Sequence, residues 1–297
     1  MSAKLVICIP TLAGHLSAWT HASVMSLSEG IRKGIQKDGK LLASAIRDCE
    51  RETPEYKQAE ARILNALDVQ IADTWLWPYD LARVRSRAVR KFLADTDATH
   101  LLFVDADVQF EPYVIRRMLD TGKDIVACPY PKRDVRWDLA YEAAKEGQHP
   151  EIGAYEYVFR ALEPVDSKTG LVKVAGVGMG CTLLSRECLQ RMVTTYGFPP
   201  ETRSVPIEDL RAFDNHPTHG GETVMLFAMQ WGEMNGKRHL FGEDLSFCNR
   251  ARAIGIGCYL YVGDGAPASH HGSMLFRGTP EGMARDMGRG DEGRKPK

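Results

Sequence analysis

Short apolar runs alternate with helical patterns along the first 130 residues. Runs of consecutive apolar residues that include β-branched side chains are typical of strands buried on both faces, and they occur at 4–9, 100–104 and 124–128. Apolar residues spaced three and four apart predict helices over 22–39 and 81–94. Strands that alternate with helices in this way indicate an α/β fold, with a mostly parallel central sheet flanked by helices.

The other segments carry weaker signals. Residues 40–68 contain two further amphipathic patterns around a polar stretch, which predicts a helical insertion. Residues 198–236 show few regular signals and are expected to be irregular. Glycine and mixed charge dominate 279–297, which predicts a disordered tail. We therefore expect one Rossmann-like domain over 1–278.

Composition excludes several classes of protein. The chain has 38 Lys and Arg residues against 39 Asp and Glu residues, and this near-balance disfavours nucleic acid as a purely electrostatic partner. The first apolar run is too short for a signal peptide or a membrane span, so we expect a cytoplasmic protein. The 7 cysteines include no CxxC pair, which disfavours a disulfide framework and a structural zinc site.

Two carboxylates follow the predicted strand over 100–104. Ligands of parallel sheets bind beyond the carboxyl ends of the strands, where Asp105 and Asp107 are placed. Carboxylate oxygens suit Mg²⁺ or Mn²⁺, so both residues are candidate metal ligands, although a DxD triplet is also a common strand-end turn. The imidazole of His270 would be a suitable third ligand, and its alternative interpretation is a surface histidine beside His271.

Glu243 and Asp244 open a predicted helix that ends near residue 254. An acidic pair at a helix start either stabilises the helix dipole or supplies a general base whose pKa is tuned by its neighbour. The arginines of the helix over 81–94 either form a solvated face or hold phosphate.

The glycines at 176, 178 and 180 form a GxGxG segment. A dinucleotide-binding loop requires another glycine three residues further on and an acidic partner, and neither is evident. We therefore reject a nicotinamide site.

Several of these segments occur in an order and spacing that resemble one family. They lie at 7–11, 82–89, 99–107, 124–132, 177–184, 243–248 and 270–278. Together they resemble the GT-A glycosyltransferases, and among these the family 2-like enzymes of phages, large viruses and bacteria. Many members of that family have Asn where this chain has Ser86.

The resemblance implies a nucleotide-sugar donor, UDP-linked, whose diphosphate lies on Mn²⁺ or Mg²⁺. It implies that Asp107 binds the metal directly, that Asp105 contacts the ribose or reaches the metal through water, and that His270 completes the metal site. The remaining donor contacts implied by the family are those of Pro10, Thr11 and Asp73 with the nucleoside, Arg83 and Arg87 with the uracil or phosphates, and Gly178 and Gly180 with the sugar.

The same resemblance implies an inverting reaction. It assigns the general base to Asp244, with Glu243 as the alternative. The acceptor stays open, and the candidates are a glycan, a protein, a small molecule, a lipid-linked carrier or a modified base in DNA. The irregular segment 198–236 would lie on the acceptor side.

Two other functions use similar residues. A metal-dependent nucleotidyltransferase on a similar sheet would carry a phosphate loop rich in Gly, Lys or Arg after the first strand. Residues 10–16 contain neither Lys nor Arg, which disfavours this function. A non-catalytic sugar- or nucleotide-binding protein would lack the base or the metal ligands. All of these residues are present in the sequence, which disfavours a non-catalytic protein.

Overall fold

The structure is a computed structural model of the 297-residue chain. It describes residues 5–11, 69–75, 81–157, 159–198, 207–214, 221–234, 236–263, 267–271 and 275–288. The predicted helix over 22–39 and the predicted insertion over 40–68 lie outside the described residues.

The described strands are, in chain order, β1 (Leu5–Thr11), β2 (Val69–Trp75), β3 (His100–Val104), β4 (Val108–Gln109), β5 (Ile125–Ala127), β6 (Phe159–Ala161), β7 (Leu171–Val177), β8 (Cys181–Ser185), β9 (Arg211–Asp214), β10 (Gly221–Val224), β11 (Gln230–Met234), β12 (Lys237–Phe241), β13 (Cys258–Tyr261), β14 (Ser269–His271) and β15 (Leu275–Phe276). The described helices are α1 (Leu81–Asp95), α2 (Pro112–Asp120), α3 (Trp137–Lys145), α4 (Pro150–Gly153), α5 (Arg186–Gly197), α6 (Glu243–Ala253) and α7 (Pro280–Gly288).

An 8-stranded sheet in the order β2-β1-β3-β8-β5-β13-β7-β6 forms the centre of the fold. Strand β1 is parallel to β2 and β3, and β13 is parallel to β5. Only β8 and β7 are antiparallel to both of their neighbours in this sheet, so the other six of its eight strands share one direction. The prediction of an α/β fold with a mostly parallel central sheet is confirmed.

Alternate side chains of the central strands enter two separate parts of the core. Val6 and Cys8 of β1 belong to one buried cluster, and Leu5 and Ile7 belong to the other. Successive side chains of a strand point to opposite faces of a sheet. Both faces of the sheet are therefore covered, which explains the unbroken apolar runs.

The helices begin and end where local chemistry favours it. Helix α2 has Pro112 in its first turn, where no backbone N–H is needed, and Gly122 follows it at a φ of 62°. Helix α5 is capped by Ser185, whose Oγ accepts a hydrogen bond of 3.0 Å from the backbone N of Cys188. The predictions of helices over 81–94 and from 243 to about 254 are confirmed by α1 and α6.

The expectation that 198–236 is irregular is wrong for much of its described part. Strands β9 and β10 pair with each other, and β11 pairs with β12 in an antiparallel hairpin. These strands form small two-stranded sheets with many exposed side chains. Without a buried face they lack the strong apolar periodicity by which the central strands are recognised.

The expectation of a disordered tail is wrong for 280–288, which form α7, while 289–297 lie outside the described residues. Met283 is buried, and the buried carboxylate of Asp286 accepts a hydrogen bond of 3.1 Å from the backbone N of Tyr157. The prediction rested on the Gly-rich and charged composition of this segment. It overlooked two methionines, 283 and 287, whose i, i+4 spacing places them on one face of a helix.

No helix in the part of the chain described by the structure is long and apolar enough to cross a lipid bilayer.

Candidate active site

The site lies at the carboxyl end of β3, where four separate segments meet. The backbone N of Asp105 donates to the carbonyl O of Gly180 (2.9 Å), which joins the turn after β3 to the loop between β7 and β8. The backbone N of Met179 in that loop donates to Oδ2 of Asp244 (3.2 Å) at the start of α6. These contacts bring the two acidic pairs of the sequence to one edge of the sheet.

A buried arginine of α1 connects the carboxylates. Nη2 of Arg85 lies 2.8 Å from Oδ1 of Asp105, and Nη1 lies 3.0 Å from Oε1 of Glu243 and also contacts Oδ1 of Asp244. The arginine side chain is 1% exposed, whereas the three carboxylates are 25–28% exposed. The guanidinium therefore lies behind the carboxylates, and their outer edges face solvent.

The position of Arg85 on α1 distinguishes it from the two arginines of the same cluster that were assigned to the donor. We predicted Arg83 and Arg87 as donor contacts, but each is two residues from Arg85 and so lies on a different side of the helix. Arg83 is exposed and Arg87 is buried. Arg85 follows Leu81 by four residues and precedes Phe92 by seven, which places it on the apolar stripe of the helix. An arginine on a buried stripe is the signal that could have identified it.

Charge and burial set the protonation of this cluster. Burial lowers the pKa of Arg85, but the charges of Asp105, Asp244 and Glu243 outweigh this and raise it above its ordinary value. Burial raises the pKa of Asp244 to about 6, with Glu243 and Asp105 adding to the effect and Arg85 opposing it. Asp244 is therefore mainly ionised at neutral pH and more basic than an ordinary carboxylate.

Asp107 pairs with His270. Nε2 of His270 lies 3.3 Å from Oδ1 of Asp107, and Oδ2 of Asp107 accepts a hydrogen bond of 2.7 Å from Nη1 of Arg133. Burial raises the pKa of Asp107, but the hydrogen bond and charge of His270, together with the charge of Arg133, hold it below its ordinary value. The two residues meet because β14 pairs with β4, with His270 opposite Val108.

The other ring nitrogen of His270 is also held. Nδ1 lies 3.0 Å from the carbonyl O of Pro131, so Nδ1–H donates to it and Nε2 is the atom directed at Asp107. Metal-binding histidines commonly donate their second N–H to a backbone carbonyl in this way. Adjacent ligands of an octahedral Mg²⁺ or Mn²⁺ lie about 3 Å apart, so the Asp107–His270 pair fits two neighbouring positions of such an ion.

The predicted set of three metal ligands is not assembled. Among the described residues, no group of three His, Cys, Asp or Glu side chains is arranged to hold a metal ion. Oδ1 of Asp105 pairs with the buried Arg85 at 2.8 Å. The reason is electrostatic, because the buried guanidinium needs carboxylate partners and Asp105 is one of three that lie within reach.

Gly180 allows a close approach at the centre of the site. A Cβ at this position would lie 2.7 Å from Oη of Tyr130 and 3.0 Å from Oδ2 of Asp105. Oη of Tyr130 accepts a hydrogen bond of 2.9 Å from the backbone N of Gly180, and the Tyr130 ring packs edge-on against His270. Tyr130 thus joins the two halves of the site, a role that the sequence analysis did not assign to it.

Gly178, the other glycine predicted to contact the sugar, lies in the same loop, and its carbonyl O accepts a hydrogen bond of 2.7 Å from Oγ1 of Thr182.

Pro10, Thr11 and Asp73 lie at the carboxyl ends of β1 and β2. In the register of these parallel strands, Thr11 pairs with Trp75 and Ile9 pairs with Asp73. Strand β1 is also parallel to β3, so the backbone of all three residues lies at the sheet edge that carries Asp105. Their contact with a nucleoside stays a prediction.

Comparison with known proteins finds only weak likeness. No protein-family model matches the chain, and no curated protein matches it. Among solved structures, A197 from STIV has a TM-score of 0.41 at 13% identity, with 91% of this chain and 86% of that chain covered. Apo UDP-glucose pyrophosphorylase has a TM-score of 0.39 at 8% identity (97% and 96% covered), and TarS 1–349 of S. aureus has 0.28 at 13% (68% and 52%). These likenesses are too weak to assign a family or an activity.

Proposed function

We propose that this protein is a GT-A glycosyltransferase that transfers a sugar from a nucleotide-sugar donor, UDP-linked, with inversion. The observation that carries the proposal is the convergence of Asp105, Glu243 and Asp244 on the buried Arg85, at the sheet edge where Asp107 meets His270. Ligands of such sheets bind beyond the carboxyl ends of the strands. This edge has a base, a candidate cation site and backbone that a ligand can approach.

The donor diphosphate is assigned to the Asp107–His270 pair. A divalent cation bound there would neutralise the charge that develops on the departing nucleotide diphosphate. His270 offers Nε2 because Pro131 holds Nδ1, and Asp107 offers a carboxylate that stays ionised well below neutral pH. Asp105 is assigned to the donor ribose, since Arg85 fixes one of its oxygens and leaves the other for a hydroxyl donor.

The general base is assigned to Asp244, with Glu243 as the alternative. Oδ1 of Asp244 contacts Arg85 and Oδ2 accepts from the backbone N of Met179, so the carboxylate is held in one orientation. Each carboxylate oxygen has a second lone pair, which can take the proton of an acceptor hydroxyl. A pKa of about 6 suits a base that must be ionised and yet accept a proton near neutral pH.

Calorimetric titration of UDP tests the donor half of this proposal. UDP should bind wild-type protein in the presence of Mn²⁺ and bind much more weakly in the presence of a chelator. Asp107→Ala should abolish the effect of Mn²⁺. The matched control is Asp138→Ala, which removes an exposed carboxylate of α3 and should leave UDP binding unchanged.

The proposal fails if no nucleotide binds with any divalent cation. It also fails if UDP binding is the same in wild type and Asp107→Ala. When UDP does bind, the hydrolysis rates of a panel of UDP-sugars identify the donor sugar.

A further inference from the structure

The hairpin formed by β11 and β12 carries an exposed face of unusual composition. Trp231 lies opposite Leu240 and Glu233 lies opposite Arg238, so these four side chains share one face of the hairpin. All four are exposed, with Trp231 at 57% and Leu240 at 47%. Large apolar side chains grouped on a surface with polar neighbours mark binding sites.

This face borders a cleft of about 440 Å³ lined by Trp231, Gly232, Glu233, Gly236 and Arg238. That volume lies within the range of small-ligand sites, about 300–1,000 Å³. The guanidinium of Arg238 lies 4.5 Å from the centre of the Trp231 ring and holds the indole from one side. The two glycines place no side chains in the cleft, and Gly236 adopts a φ of 71° in the hairpin turn.

The hairpin is fixed to the helix that carries the proposed base. The buried Oγ of Ser246 in α6 accepts a hydrogen bond of 3.0 Å from the backbone N of Gln230 and donates one of 3.1 Å to the carbonyl O of Phe241. Leu240 precedes Glu243 by three residues, so their Cα atoms lie within about 11 Å of each other. Arg238 is the lining residue nearest to Glu243 along the chain and precedes it by five residues, so the Cα atoms of these two residues lie within about 18 Å of each other.

The charges of the cleft discriminate between ligand classes. The lining residues that the structure describes include one carboxylate, Glu233, and one guanidinium, Arg238, so the charges of these residues cancel. A phosphate backbone requires a surplus of positive charge, which this cleft lacks. A pyranose offers an apolar C–H face that packs on an indole ring, and hydroxyl groups that pair with both a carboxylate and a guanidinium.

We infer that this cleft is the acceptor subsite and that the acceptor is an uncharged carbohydrate, with Trp231 packed against one sugar ring. The inference rests on the proposed function, since the cleft is an acceptor subsite only if the enzyme transfers a sugar from a nucleotide-sugar donor. It narrows the acceptor classes left open by the sequence to one.

The test begins with a printed array of neutral oligosaccharides that covers the common hexoses and N-acetylhexosamines, probed with labelled protein in the presence of UDP and Mn²⁺. The tightest-binding glycan is then titrated by calorimetry into wild type, Trp231→Ala and Trp137→Ala. Trp137 is the matched control, because it is 74% exposed on α3, outside the hairpin. A decadeoxythymidylate is titrated in parallel as the polyanionic probe.

We expect saturable binding of a neutral glycan that is about tenfold weaker in Trp231→Ala and unchanged in Trp137→Ala. Glu233→Gln should weaken the binding by a smaller factor. Affinity in 50 mM and 500 mM NaCl should agree within about twofold, because no charge is neutralised.

The inference is overturned if no neutral glycan binds while UDP binding stays intact. Tighter binding of the oligonucleotide, with loss of that binding in high salt, overturns the carbohydrate class. A Trp231→Ala variant that changes the oligomeric state in light scattering but keeps glycan affinity assigns the hairpin to a second copy of the chain. If UDP does not bind wild-type protein, the proposed function itself is contradicted, and this outcome is distinguishable from a failure of the cleft inference alone.

Discussion

One guanidinium sets the electrostatics of the site. Arg85 contacts Asp105, Glu243 and Asp244, and its removal would leave three partly buried carboxylates without their shared cation. We expect Arg85→Met to lower the free energy of unfolding by about 3 kcal/mol at pH 8. Arg85 lowers the pKa of Asp244, so without the arginine this pKa rises further in the folded state and the stability loss should shrink toward pH 5. Urea unfolding at both pH values measures it.

The control for Arg85→Met is Arg83→Met, an exposed position two residues away on the same helix. A change at an exposed charge is worth less than about 1 kcal/mol. Equal destabilisation by the two variants, or a loss for Arg85→Met that does not depend on pH, would show that Arg85 does not serve as the shared counter-ion.

The raised pKa of Asp244 gives the site a pH dependence. Because burial holds this pKa at about 6, the base is protonated below that value, and the rate of sugar transfer should fall about tenfold for each pH unit below 6. Asp244→Asn should lower the rate by about 10²–10⁴. Glu243→Gln should keep the fall in rate below pH 6. If Glu243→Gln instead loses the activity and Asp244→Asn keeps it, Glu243 is the base.

Stability measured against pH checks the same pKa without any substrate. A carboxyl whose pKa is raised by folding contributes stability that is full below its ordinary pKa of about 4 and is lost as the pH rises through about 6. Asp244→Asn lacks this titration. It should therefore match wild type near pH 4 and be more stable by about 1–3 kcal/mol at pH 8, as measured by urea unfolding.

At the scale of elements, predictability followed burial. Strands β1, β3 and β5 have continuous apolar runs because both of their faces are covered, and these runs are visible in the sequence. The β11–β12 hairpin has a Trp, a Gly and charged residues in place of an apolar stripe. Its pairing depends on a partner strand and on Ser246, which the periodicity of a single segment does not reveal.

Helix α7 tests whether a Gly-rich, charged segment contributes to the core. Met283 is 2% exposed, and its truncation to Ala should cost about 2–4 kcal/mol of unfolding free energy, since it removes buried methylenes and leaves a cavity. Met229→Ala is the control, because that side chain is 58% exposed and should change stability by less than about 0.5 kcal/mol. If urea unfolding gives equal values for both variants, α7 is not docked on the core.

At the scale of the whole molecule, strand order decides which distant residues meet. Arg85 and Glu243 are 158 positions apart, and they meet because α1 and the start of α6 both reach the carboxyl end of β3, where Arg85 also contacts Asp105. The pairing of β14 with β4 brings His270 to Asp107. Residue types and their order could be read from the sequence. The sequence does not reveal that Asp105 contacts Arg85, because this contact depends on long-range packing.

The same assembly couples cation binding to the stability of the whole fold. Nη1 of Arg133 lies 2.7 Å from Oδ2 of Asp107, so this half-exposed arginine competes with a divalent cation for the carboxylate. We expect Arg133→Gln to bind Mn²⁺ alone about threefold more tightly than wild type and to gain more in Tm when Mn²⁺ is added. Lys132→Gln is the matched control, because Lys132 is equally exposed but is paired with Glu156.

Once a cation displaces Arg133 from Asp107, its guanidinium becomes a free positive charge beside the proposed diphosphate position. Arg133→Gln should therefore weaken UDP binding in saturating Mn²⁺ while it tightens the binding of Mn²⁺ alone. General loosening of the site would weaken both. Calorimetry of Mn²⁺ and of UDP on the two variants separates these cases, and weaker Mn²⁺ binding by Arg133→Gln than by Lys132→Gln would show that Asp107 does not hold the cation.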